Sequence, residues 1–135
     1  MSKIRERPDM CELAEIFRYG HYVAVPGKDR EVHTSREFPA SEWHHVIGKD
    51  AIGRTDDNRC GLWLSHYFHQ TWFAQHHRPG RVACCFALKR MGYLDWDFLS
   101  ELSRQKWPGI FETDDYVRQC SQFPAVEKMR RSLVG

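Results

Sequence analysis

Seven of the eight histidines in this 135-residue chain fall between His33 and His77. Their order constrains the fold more than any other feature of the sequence. His44 and His45 lie in the run Glu42-Trp43-His44-His45-Val46-Ile47, which Gly48 breaks. A polar stretch from Lys49 to Cys60 follows, then Leu62-Trp63-Leu64-Ser65, then His66-Tyr67-Phe68-His69. This succession predicts strand, loop, strand and helix over residues 42–75. Histidine both binds transition metals and moves protons near neutral pH. The segment is therefore where chemistry is sought first.

The rest of the composition narrows the class without naming a function. One ordinary domain, residues 1–135, accounts for the length. Hydrophobic residues make up 41% and charged residues 28%, a globular balance. A formal charge of +2 permits nucleic-acid binding without demanding it. The five cysteines are odd in number, include no CxxC pair and follow no signal-like apolar run. A reduced, cytoplasmic protein with free thiols is expected. No apolar run approaches the roughly 20 residues of a membrane helix.

Helical spacing of Met10, Leu13, Ile16 and Phe17, after Pro8-Asp9 and before Gly20, predicts a helix over residues 8–19. Residues 21–25 and 30–34 read as strands about the turn at Pro26-Gly27. Residues 35–41 read as a loop, and Ser65 suits the cap of a helix from His66 to Gln75. Pro79-Gly80 reads as punctuation. Helices are expected over Arg81–Met91 with Gly92 as the stop, over Leu94–Gln105 with Asp95 or Asp97 near its start, from Thr113 to about Gln122, and from Pro124 onward. Residues 79–135 thus form a helical C-terminal part.

The histidine segment resembles the HNH, or ββα-metal, nuclease family, and within it phage HNH proteins of the recombination-enhancement type. The residues that carry the likeness are Trp43-His44-His45-Val46, Gly53-Arg54-Thr55-Asp56-Asp57-Asn58, Leu62-Trp63-Leu64-Ser65 and His66 through His69. The resemblance implies an α+β fold, a small ββα-metal unit at 42–75 embedded in a largely helical single domain. It also implies a phage- or mobile-element-encoded endonuclease that hydrolyses DNA with a divalent metal such as Mg, Mn, Ni or Zn. His45 would be the general base, His44 a metal ligand and His69 the helix ligand, with His66 as an alternative that completes the set. Asp57 or Asn58 would orient His45 through its other ring nitrogen. Two departures stand out. Ser65 occupies a position that is often a cysteine of a structural zinc site. The second helix histidine of some members falls here near Trp72 or Phe73.

Physical chemistry adds its own constraints. Hydrolysis of a phosphodiester needs an activated water and a stabiliser for developing charge. His66 and His69 are three apart and share a helix face. His44 and His45 are neighbours on a strand and point to opposite faces, so both reach one site only if the strand bends. Each residue also has a plainer reading. His66 can simply cap the helix, His76-His77 can sit at a solvated helix end, and His21 can be structural. Cys84-Cys85 read as buried thiols, and the tryptophans as core. Lys49, Arg54 and Arg59 are candidate phosphate contacts, as are Lys89 and Arg90, against a default of solvated charge. Two other functions compete with the nuclease. One is a non-catalytic HNH-like protein that binds a larger complex such as a host defence system, using aromatic anchors among Tyr19, Tyr22, Tyr93, Trp96 and Trp107. The other is a structural metal-binding domain.

Overall fold

The computed structural model describes residues 4–19, 38–47 and 57–135. The expected strands at 21–25 and 30–34, His21, His33, Lys49 and Arg54 lie outside the described residues. Within them the protein is α+β and mostly helical, with one two-stranded antiparallel sheet.

Helix α1 spans Glu12–Tyr19 and buries Leu13, Ala14 and Ile16. It starts later than Pro8-Asp9 suggested. The reason is tertiary pairing: Cys11 N–H donates to the Phe38 carbonyl (2.7 Å), Ala40 N–H to the Asp9 carbonyl (3.0 Å), and Met10 bridges Pro39. Backbone committed to that bridge cannot also wind.

Strand β1, Glu42–His45, pairs with β2, Gly61–Leu64, in the register Glu42 with Leu64, Trp43 with Trp63, His44 with Leu62 and His45 with Gly61. Two further bonds extend the ladder, Ser41 N–H to the Leu64 carbonyl (3.1 Å) and Val46 N–H to the Cys60 carbonyl (2.8 Å). Pleat alternation gives the hairpin two different faces. Leu62 and Leu64 are fully buried on one, which Glu42 and His44 share. The other carries Trp43 and Trp63, edge to face at 5.2 Å. A Cβ on Gly61 would run into the Trp43 ring, so only glycine fits beneath that indole.

Arg5 locks this second face. Its guanidinium lies 5.0 Å from the Trp43 ring and 4.8 Å from that of Tyr93. It forks onto Glu12 at 2.8 and 2.9 Å and donates to the Gly61 carbonyl at 2.9 Å. Glu12 in turn accepts the Trp63 N–H at 2.7 Å. A largely desolvated ion pair thus joins the N-terminal segment, α1 and the hairpin.

After β2 the Ser65 hydroxyl accepts the Phe68 N–H at 3.3 Å, the expected capping role. The helix that follows is not uniform. A π-helical turn, Tyr67–Trp72, in which Phe73 N–H bonds the Phe68 carbonyl, runs into a short α2, Phe73–Gln75. Helix α3 spans His77–Met91, so Pro79-Gly80 lies inside it and does not punctuate. Proline is harmless in the first turn, where its missing N–H has no intrahelical partner to lose. Residues 79–88 are buried on every side, which makes α3 the central helix. Gly92 (φ 82°) ends it with a Tyr93 N–H bond to the Leu88 carbonyl.

Helix α4, Trp96–Ser103, is capped by Asp95, whose carboxylate accepts the Phe98 N–H at 3.1 Å. A 3₁₀ turn (Gly109–Glu112), α5 (Asp114–Cys120) and α6 (Pro124–Val134) complete the chain. Helices α1, α5 and α6 pack on α3. All five cysteines are free and buried, as expected of Cys84 and Cys85. Among the described residues no helix is long and apolar enough to cross a membrane.

Candidate functional site

The hairpin and the π turn bring three of the sequence-selected histidines together. His44, inward on β1, meets His69 with ring centroids 4.9 Å apart, edge to face. His66 and His69 both reach Glu42, the inward residue two before His44. Glu42 Oε1 lies 2.6 Å from His69 Nδ1 and Oε2 lies 3.2 Å from His66 Nδ1. These two hydrogen bonds hold the Glu42 carboxyl below its usual range. A π turn is often found where a helix serves a site, because the extra residue per turn re-aims side chains.

His44 has the most perturbed environment. Its Nε2 is buried with no hydrogen-bond partner. Burial, reinforced by the ionisable neighbours His69, His45, His77 and Arg81, pushes its pKa down to about 3. The ring is therefore neutral at pH 7 and keeps a lone pair. Phe73 closes the other side, with centroids 4.4 Å apart. Phe73 is one of the two positions, with Trp72, near which the resemblance would put a second helix histidine. It is held there by α3, since a Cβ on Gly80 would be 2.7 Å from its ring.

His45 is the last residue of β1, and the ladder is continuous through its pairing with Gly61. Alternation gives it the Trp43 face, opposite to His44, with the chain bending immediately after at Val46-Ile47. The loop residues Asp57 and Asn58 both contact arginines. Asn58 Oδ1 accepts the Arg5 backbone N–H at 2.7 Å. Asp57 accepts the Arg59 backbone N–H at 2.8 Å and takes its guanidinium at 3.0 and 3.1 Å. Arg59 also lies 3.5 Å over the Phe98 ring and 3.5 Å from Asp95. A phosphate at Arg59 would have to compete with both carboxylates.

His66 is exposed and pairs with Glu42, while Ser65 caps the helix. His77 is exposed, as expected of a solvated helix end. His76 differs: it is half-buried, 4.7 Å from the Phe123 ring and 6.1 Å from that of Trp72. Sequence reasoning missed Glu42. The signal was present, because residues 42 and 44 share a strand face by the same alternation that separates 44 from 45.

Among the described residues, no three His, Cys, Asp or Glu side chains are arranged to hold a metal ion. His44 and His69 are two imidazoles in edge-to-face contact. No family model matches the chain, and no curated protein or solved structure is significantly similar to it.

Proposed function

We propose that the protein is a small metal-dependent endonuclease of the HNH type acting on DNA phosphodiesters. The observation that carries this reading is the 4.9 Å approach of His44 and His69, one on a hairpin strand and one on the helix that directly follows the hairpin. The donor set suits a divalent transition ion. His44 offers a buried, unpartnered and neutral ring nitrogen, and imidazoles suit zinc, nickel and related ions. His44 and His69 would hold the ion, with His66 at hand on the same helix face. Such an ion would supply charge stabilisation to the phosphate and its leaving oxygen. The general-base role that the resemblance gives His45 requires its ring to turn from the Trp43 face toward the ion, at the bend that follows β1.

Plasmid nicking across magnesium, manganese, nickel and zinc, with an EDTA control, tests the proposal. Wild type should nick in at least one metal and not in EDTA. His45→Ala should lose roughly 10²–10⁴-fold in rate, the usual contribution of a general base. Absence of nicking in every metal would sink the enzyme reading.

One observation favours a second reading, a non-catalytic binding protein. Phe73 lays a phenyl ring, not a further donor, against His44, with centroids 4.4 Å apart. Under that reading the protein captures a protein partner without divalent metal, and His45→Ala leaves capture unchanged. A pull-down on the same two samples used for nicking separates the two classes.

A further inference from the structure

We propose that Glu42 is a positioning residue, which sets the tautomer of His69 and so presents the ring nitrogen that takes the metal. The inference rests on the metal-site reading above but has its own test. Glu42 Oε1 stands 2.6 Å from His69 Nδ1. An ionised carboxylate only accepts hydrogen bonds, so at this distance the proton belongs to His69 Nδ1. A neutral His69 then carries its lone pair on Nε2. Metal-binding histidines commonly donate their other ring N–H to a carboxylate, which fixes the ring's orientation and raises its basicity.

The register explains why this carboxylate serves this ring. Glu42 pairs with Leu64, the last residue of β2, and one residue separates Leu64 from the start of the histidine helix. Glu42 therefore stands beside the first turn of that helix, on the face of His44. The second oxygen reaches His66 at 3.2 Å, but the His66 side chain is 76% exposed against 29% for His69. Water competes for the His66 bond far more than for the His69 bond, so His69 is the ring that Glu42 controls.

Two-bond proton–nitrogen NMR correlations on the metal-free protein near pH 8 read the tautomer directly. His69 should be Nδ1–H in wild type and should shift toward Nε2–H in Glu42→Ala. Glu42→Gln keeps an acceptor oxygen and should restore Nδ1–H. His66→Ala should leave the His69 signal unchanged. Zinc affinity by calorimetry should fall roughly 10–100-fold in Glu42→Ala and recover in part in Glu42→Gln. An Nε2–H ring in wild type overturns the proposal, and the wild-type spectrum decides this even if a variant fails to fold. A Glu42→Ala ring still in the Nδ1–H form overturns it too, as does a tautomer change that leaves zinc affinity intact. A wild type that binds no metal refutes the nuclease reading, while the tautomer spectra still decide what Glu42 does to His69.

Discussion

At the scale of single residues, the unusual group is His44. Burying a neutral imidazole has a consequence for stability. Unfolded, the ring takes a proton below its ordinary pKa near 6.5; folded, it does so only near 3. Between those limits the unfolded state binds more protons, so stability falls as pH falls. The slope from this residue is at most about 1.4 kcal/mol per pH unit. Urea unfolding of metal-free protein at pH 7, 6, 5 and 4 should therefore show a steeper acid loss in wild type than in His44→Gln. Parallel slopes in the two proteins would mean that His44 is not buried as a neutral ring. The neighbouring His45 shows what one step along a strand does. It shares the sequence motif with His44, yet the pleat gives it the other face.

At the scale of elements, two glycines set how closely neighbours approach. Gly61 lies under Trp43, which Arg5 covers from above. A methyl there runs into the indole that Arg5 stacks on, so Gly61→Ala should cost about 1–3 kcal/mol by overpacking. Gly80 faces Phe73, with His44 behind the ring. There the clash is opposed by the roughly 1 kcal/mol that alanine gains over glycine in a helix, so Gly80→Ala should be the milder change. Chemical denaturation of the two variants checks the order, and equal losses would contradict it. The elements themselves were largely legible. The apolar steps at Trp43 and Trp63, the Ser65 and Asp95 caps and the Gly92 stop are short-range signals, and the structure uses each of them. The later start of α1 was not legible, because Phe38 and Ala40 compete for its first backbone groups from far along the chain. Nor was the π turn, whose bonds leave no residue-type signature. Glu42 joins His66 and His69 across 24 and 27 residues. Only the hairpin register reveals that clasp, and so only part of the candidate site could be read from the sequence.

At the scale of the whole molecule, two sets of contacts hold the hairpin in place. The helix bearing His69 covers one face, and Arg5 with Glu12, Trp43 and Tyr93 covers the other. Removing Arg5 strands the Glu12 carboxylate and uncovers an indole at once. Arg5→Ala should lower stability by about 3 kcal/mol, the cost of breaking a largely buried pair. Arg5→Lys should recover little, since an ammonium cannot fork onto Glu12. Thermal melts of both variants test this, and a lysine variant as stable as wild type would contradict it. We propose that the hairpin and the helix after it bring His44 and His69 to one metal ion. Calorimetric titration of zinc into wild type, His44→Ala, His69→Ala and His45→Ala measures that claim most directly. One ion should bind wild type and His45→Ala with similar affinity, and binding should weaken sharply in the other two. No binding to wild type, or equal loss in all three variants, would contradict it.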